Sequence, residues 1–542
     1  MRAPYSRNLF DLLCEMAERY PDRPAILGAD VRVTYSDLAA RARQVGASLQ
    51  QAGLGRGDRV GILINNRPEW IEACIGAAAI GVIAVPFSTW SKRAELDFLL
   101  ADSEVTLLFS LGKFGEQDYA ADLAELIPEL RTAKPGQWRS QRYPKLQAIV
   151  TISATPLAGV QDYETFIAGG QNAVDAPAVS APDAGANAAD DALILYTSGS
   201  TSYPKAVRLA HGAMITNAFN IGERQGLTQE DRVLLALPLF WSYGSANAMC
   251  ATFSHGAALV LQTRFEAAGA IDLIERHACT AIYTLPAMTT SIVTHPSFER
   301  ERTRSLRTGL TIGSAQDVVA AAEVLGAYEI CNVYGQTETY GNCCVTWHHW
   351  SLAQRQQVQG PPLPGVVLRL VDPESGIAVP DGEVGMIEVR GHLTPGYTGK
   401  SGELNSEAFT VDGYYPTGDL GRITGDGHLQ FVGRNTEMIK RAGINVAPAE
   451  IEELLQQHPG VALAGVTGVP DNDKGEMIVA FVIAAPGSVV TGEQLRAHCR
   501  ALASSYKAPD RIEICDSLPA TPTGKVLRRE LKAMAMALME PA

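Results

Sequence analysis

The stretch "ILYTSGSTSYPKAVRLAHG", residues 194–212, starts as an apolar strand-like run and passes through the small or hydroxylated residues Thr197, Ser198, Gly199, Ser200 and Thr201 to a lone cation at Lys205. Backbone N–H groups and hydroxyls gathered in this way can converge on phosphate oxygens, and ligands of open α/β sheets sit where strands end. The same composition also makes an ordinary serine-rich turn. Two other segments fall short of known phosphate loops. "GYTGKS" (396–401) has Thr394 where a Walker loop needs its first glycine, and "GLGRGD" (53–58) lacks the third glycine of a dinucleotide fingerprint.

The surroundings of the stretch alternate short apolar runs with helical spacing. Upstream stand "RVGILINN" (59–66), "EWIEACIGAAAIG" (69–81), "VIAVPFS" (82–88), "RAELDFLLADSE" (93–104) and "VTLLFS" (105–110). Downstream, "RVLLALPLF" (232–240), "AALVLQ" (257–262), "TAIYTLP" (280–286), "GLTIGS" (309–314) and "EICNVYG" (329–335) each end in turn or small residues. This pattern predicts parallel α/β units. The segment "VDAPAVSAPDAGANAADD" (174–191) is rich in Ala, Pro and Asp and reads as an exposed connector. After about residue 363 the texture turns to strands and turns, with "TGDGH" (424–428) as a hairpin signal. Beyond 436 the helix and strand pattern starts afresh with "PAEIEELLQQHPG" (448–460). The organisation expected is an N-terminal domain 1–433, a hinge 434–436 and a C-terminal domain 437–542.

The chain has 542 residues, more than one hydrophobic core usually serves. Its net charge is −14 with no basic run, which argues against a nucleic-acid backbone as partner. No segment offers the apolar length of a membrane span, and the N-terminal segment is broken by Asp11, Glu15 and Glu18, so a cytoplasmic location is expected. The nine cysteines form no C-x-x-C pair, and the ten histidines show no H-E-x-x-H spacing. Neither a disulfide framework nor a transition-metal site is implied.

Three further clusters carry possible chemistry. In "CNVYGQTETYG" (331–341), Tyr334 could stack on a base, Thr337 could donate to a phosphate and Glu338 could hold magnesium, which prefers carboxylate and phosphate oxygens. Alone, the segment also reads as a helix entry with a capping threonine. In "TGDLGRITGDGHLQFVGRNTEMIKRAGINVAPAEIEE" (417–453), Asp419 could accept both hydroxyls of a ribose and Arg434 could add a second contact. "LPATPTGKVLRREL" (518–531) places Lys525 in a glycine-flanked turn before a basic helix.

The order and co-occurrence of the four clusters resemble the adenylate-forming (ANL) superfamily of acyl-CoA synthetases, or AMP-dependent CoA ligases, along essentially the whole chain. The resemblance implies an α/β fold: a large N-terminal region of two α/β sheets plus a small β-barrel, followed by a small, mobile α+β C-terminal domain. It implies activation of a carboxylate with ATP and Mg2+ to an acyl-AMP, release of pyrophosphate, and transfer to coenzyme A. Carried over by position, Thr197, Ser198, Gly199, Ser200, Thr201 and Lys205 would hold the β and γ phosphates. Gly313, Ser314, Ala315 and Gln316 with Asn332, Tyr334 and Gly335 would surround the adenine, Asn332 bonding its amino group. Thr337 would contact the α phosphate, Glu338 the metal, and Asp419 and Arg434 the ribose. Lys525 would bridge carboxylate and α phosphate during adenylation. The C-terminal domain would then turn about Thr436 and bring Lys440 and Gly443 to the CoA tunnel.

The same resemblance places an acyl pocket at Trp241, Tyr243, Gly244, Ser245, Ser314, Thr339, Tyr340 and Gly341. Its aromatic and small residues favour a compact hydrophobic acid, aromatic, alicyclic or short-branched, with no preference for dicarboxylates. Because the chain stops soon after Lys525, free CoA is the expected acceptor, with a separate carrier protein as the alternative and a nucleotide-binding pseudoenzyme as the reading from another class. "PATPTGK" (519–525) also resembles sites of lysine acetyltransferases, so Lys525 is an expected target; a monomer or homodimer is expected. Relatives carry glycine at Ser202 and Ala206, and the expectation is that both adopt ordinary φ values here.

Overall fold

The computed structural model describes residues 3–152, 157–170, 186–197, 204–441, 444–471, 475–502, 507–520 and 526–539. Most of the Ala/Pro/Asp-rich connector lies outside them.

Two eight-stranded sheets dominate. The first runs, in spatial order, through Cys344–Val345, Cys331–Tyr334, Thr308–Thr311, Ala281–Tyr283, Arg232–Leu235, Ala258–Leu261, Pro24–Leu27 and Arg32–Thr34. Its six inner strands pair in parallel and its two edges antiparallel. The second runs through Tyr397–Thr398, Lys205–Ala210, Asp191–Thr197, Ile83–Pro86, Arg59–Leu63, Leu107–Ser110, Ala148–Thr151 and Gln161–Asp162. From Asp191–Thr197 to Gln161–Asp162 its strands pair in parallel, while Lys205–Ala210 pairs antiparallel with both of its neighbours, and continuous apolar runs such as Leu107–Ser110 are buried along their whole length, as strands covered on both faces require. Helices such as Tyr35–Gln51 and Pro68–Ala78 supply that cover and join the strands by crossovers.

The strands after residue 363 form a four-stranded antiparallel sheet of Val367–Val371, Val384–Arg390, Tyr415–Ile423 and Leu429–Arg434. The hairpin at "TGDGH" closes through Thr424 N–H to His428 O at 2.9 Å, with Gly427 at φ +75°. Ile439–Arg441, Ile444–Val446, Val461–Asp471, Gly475–Ala484 and Arg511–Ile514 make a five-stranded sheet, covered by the amphipathic helices Pro448–Gln456, Gly492–Leu502 and Arg528–Ala537. The two apolar clusters of this last region draw only on residues from Ile439 onward, whereas the other three end at Leu429. Between them lies the short 3-10 turn Asn435–Glu437.

The opening stretch is a β-hairpin in the second sheet. Asp191–Thr197 pairs antiparallel with Lys205–Ala210, and Thr197 stands opposite Lys205. Ala206 is fully buried between Tyr196 and Thr398 in the ladder, and its N–H donates to Ser401 Oγ at 2.9 Å. It is not among the positive-φ residues, so a glycine here has no conformational advantage. Ala206→Gly is expected to leave ATP affinity unchanged and to lower stability by roughly 0.5–1 kcal/mol; nucleotide titration and thermal melting check both.

Candidate active site

The candidate residues come from strands, strand ends and the turns that follow them in the two eight-stranded sheets and the four-stranded sheet, and segment 334–340 ties those three sheets together. From the first sheet, the buried Tyr334 donates its hydroxyl to Asp419 Oδ2 on the four-stranded sheet at 2.9 Å. Gln336 Nε2 donates to the same oxygen at 2.7 Å, and Gln336 Oε1 accepts from Tyr415 OH at 3.1 Å. Thr337 shares a hydroxyl contact of 3.1 Å with Ser242. Glu338 Oε1 accepts from Tyr397 OH at 3.0 Å on the edge of the second sheet. Burial, then the nearby Glu338 carboxylate, raises the Tyr397 phenol well above its ordinary pKa, which keeps that donor protonated. Lys205 Nζ lies 5.4 Å from the centroid of the same Tyr397 ring.

Asp419 is the hub of these contacts. Its register partner across the hairpin is Arg434, whose Nε lies 3.4 Å from Oδ1, and Arg434 is half exposed while Asp419 is buried. Oδ2 is filled by Tyr334 and Gln336, so it is Oδ1, beside Arg434 Nε, that has a lone pair to offer a further donor. Tyr334 stacks on Phe431 with centroids 5.8 Å apart and planes 26° off parallel. Gly313 to Gln316 follow the strand Thr308–Thr311 directly. Ser314 caps the short helix Ala315–Val319 through a reciprocal box with Asp317, whose carboxyl is raised by burial. Asn332 is fully buried, and its amide is committed to the protein, donating to Val358 O at 3.2 Å and accepting from Val333 N–H at 2.9 Å. One of its two Nδ2 hydrogens and one lone pair of Oδ1 are thus held by the protein at the strand end.

The residues assigned to the acyl pocket separate into two groups. Trp241 is half-buried and meets Trp90 edge-on at 5.3 Å; Trp90, 38 % exposed, also meets Phe240 edge-on at 5.2 Å. The others serve packing. Ser245 and Thr339 spend their hydroxyls on Trp241 O and Gln336 O. Tyr243 is buried against Tyr283. A Cβ on Gly244 would stand 2.2 Å from Pro238 O, and one on Gly341 1.9 Å from Asn247 Nδ2, so these glycines permit close approach rather than leave room for a ligand. Tyr340 sits at φ +58°, a conformation that strains a bulky residue. It is nevertheless pinned there, because its hydroxyl accepts from Ala210 N–H at 3.1 Å and burial pushes its pKa up to about 12.

Ser198, Gly199, Ser200, Thr201, Ser202, Gly443 and Lys525, with the side chains of Thr436 and Lys440, lie outside the described residues. Trp90, Ser242, Gln336, Tyr397, Tyr415 and Phe431 are site neighbours that the sequence reading missed. Gln336 and Phe431 lie within the quoted segments 331–341 and 417–453, and Tyr397 within "GYTGKS", which falls short of a Walker loop; Trp90, Ser242 and Tyr415 carry no such signal. Glu338 suits a magnesium ion that arrives with phosphates. It is a buried carboxylate with one oxygen held by Tyr397, and no group of three or more His, Cys, Asp or Glu side chains forms a metal cage among the described residues. No helix among these residues is long and apolar enough to cross a membrane.

A family model described as "AMP-binding enzyme" matches residues 13–398, and one described as "AMP-binding enzyme C-terminal domain" matches 450–525. The chain is 33% identical over 530 residues to a putative acyl-CoA synthetase, YngI, of Bacillus subtilis, covering 96% of each chain. It is 29% identical to the mitochondrial medium-chain acyl-CoA ligase ACSF2 of Mus musculus, covering 95% of this chain and 85% of the relative. The crystal structure of the anthranilate CoA ligase AuaEII in complex with anthranoyl-AMP superimposes with a TM-score of 0.85 at 26% identity, covering 100% of both chains.

Proposed function

The chain belongs to the AMP-binding enzyme family, and from that premise we propose a division of labour among its own residues. The enzyme activates a carboxylic acid with ATP to an acyl-AMP, releases pyrophosphate, and passes the acyl group to CoA. In our reading, residues 1–433 bind ATP and the acid, 434–436 act as a hinge, and 437–542 form the lid that carries Lys525. Lys205 and the hydroxyls of 197–201 hold the β and γ phosphates. Thr337, steadied by Ser242, donates to the α phosphate, and Asp419 with Arg434 receives the ribose. Glu338 holds Mg2+, which when bound neutralises charge on the phosphates. Lys525 offsets the negative charge that builds on the phosphorus as the carboxylate attacks, and Lys440 and Gly443 serve the CoA tunnel after the lid turns. The observation that supports this most is the joining of Lys205, Glu338 and Asp419, from three sheets, through the single segment 334–340 and its tyrosine partners.

The acid in this reading is hydrophobic and monocarboxylic. The edge-to-face set of Trp90, Phe240 and Trp241 supports it, since such walls suit rings and branched chains. Of the named relatives, one is described as a medium-chain ligase and one as a ligase of anthranilate, an aromatic monocarboxylic acid. Trp241→Ala is expected to lower kcat/KM for cyclic acids by about 3-fold to 10-fold, with a smaller loss for straight-chain acids. A panel of acids assayed by pyrophosphate release checks this, and equal losses for both groups contradict it. The cytoplasm, where ATP and CoA are both supplied, is the compartment of this reading, and the active unit is a monomer or homodimer. Acetylation of Lys525 by a lysine acetyltransferase would remove the cation that adenylation needs.

A further inference from the structure

We infer that Tyr397 is a positioning residue that keeps the Glu338 carboxylate and the Lys205 ammonium apart and correctly oriented. This rests on the roles given to those two residues under Proposed function. Tyr397 lies in the short edge strand Tyr397–Thr398, which pairs with the strand that begins at Lys205, Val207 standing opposite Tyr397. Its hydroxyl donates to Glu338 Oε1 at 3.0 Å, and its ring lies 5.4 Å from Lys205 Nζ. One side chain thus touches both charged groups. Lys205 and Glu338 form no ion pair with each other.

The backbone that carries this tyrosine is held from several sides. Asn405 brackets it, Oδ1 accepting from Tyr397 N–H at 2.7 Å and Nδ2 donating to Tyr397 O at 2.9 Å. Thr394, three residues earlier, donates its N–H to Glu338 O at 2.7 Å and its hydroxyl to Arg208 O at 2.6 Å and Gly396 O at 2.9 Å. The segment therefore holds Glu338 by main chain and side chain at once. It is the same segment whose Ser401 receives the buried N–H of Ala206.

Physical reasoning gives this arrangement a purpose. An ammonium and a carboxylate that share one phenol as a neighbour attract each other. Were they to pair directly, the carboxylate would be blocked for a cation and the ammonium for a phosphate. The phenol binds one carboxylate oxygen, Oε1, and in this proposal the other is left for a cation. Its ring offers the ammonium a weaker partner, one that a phosphate can displace.

The test measures Mn2+ binding to the ATP-bound enzyme by electron paramagnetic resonance, with thermal melting as a control on folding. Tyr397→Phe keeps the ring and loses the donor. It should weaken Mn2+ binding by about 10-fold to 100-fold, with the melting temperature and the KM for the acid close to wild type. Tyr397→Leu removes the ring as well and should also weaken ATP binding without metal, to the level of Lys205→Ala. If Glu338→Gln loses Mn2+ affinity while Tyr397→Phe keeps it within 2-fold of wild type, Tyr397 has no positioning role. If Glu338→Gln itself retains wild-type Mn2+ affinity, the assignment of Glu338 fails and this inference goes with it.

Discussion

Lys525→Ala is expected to reduce acyl-AMP formation by about 100-fold to 1000-fold, the cost of removing one preorganised donor from a reaction centre, while thioester formation from supplied acyl-AMP stays near wild type. The argument is about which step needs the charge. As the carboxylate attacks the α phosphorus, two anionic groups are forced together and negative charge passes from the carboxylate to the phosphoryl oxygens and the leaving pyrophosphate; a cation placed between carboxylate and α phosphate by lid closure stabilises that transition state. The second step attacks a carbonyl that is already activated, and in our reading a different face of the lid is then presented. The 3-10 turn Asn435–Glu437 is a short irregular link of the kind that absorbs such a rotation. Pyrophosphate release measures the first step, and thioester appearance from synthetic acyl-AMP and CoA measures the second. Equal loss in both would remove Lys525 from the role given to it.

Glu338→Gln is expected to lower adenylation by about 100-fold with little change in melting temperature. The substitution keeps the shape and keeps an acceptor for the Tyr397 hydroxyl, which now donates at 3.0 Å to a carboxylate. The main-chain bond from Thr394 to Glu338 O is untouched. Only the charge is lost, so the deficit should appear as a higher magnesium requirement and should shrink as magnesium is raised. A variant that is slow at every magnesium concentration, with an unchanged midpoint, would show that the carboxylate does not serve the metal.

Much of the fold was legible because its signals are local. The strand before the loop, the hairpin at "TGDGH" and the restart of the pattern after 436 all follow from periodicity and turn chemistry. The candidate residues Lys205, Glu338 and Asp419 stand out only through the order of four motifs, since each one alone reads as an ordinary surface or turn residue. What stayed hidden is how side chains are shared across sheets. Tyr397 reaches Glu338 across 59 residues and Tyr334 reaches Asp419 across 85; no period or spacing encodes such pairs.

The acyl pocket shows the same limit from the other side. Small residues at 244 and 341 suggest space for a ligand, yet the space is taken by Pro238 O and Asn247 Nδ2. Asn332 occupies the position that resemblance gives to an adenine contact, and its amide is used within the protein. In each case the residue type was readable and its partner was not, because the partner is fixed by packing between elements far apart in sequence. The question posed by the opening loop has narrowed accordingly. Ala206 sits in a strand where glycine is not required, and its N–H is satisfied by Ser401 from the segment that also carries Tyr397.

The most direct test of the account is to follow the products from one reaction containing ATP, Mg2+, CoA and a panel of hydrophobic monocarboxylic acids. The account predicts that at least one acid gives AMP, pyrophosphate and acyl-CoA in equal amounts, and that without CoA the same acid still supports exchange of labelled pyrophosphate into ATP. Nucleotide turnover that yields ADP and phosphate, or that proceeds equally without any acid, would contradict it.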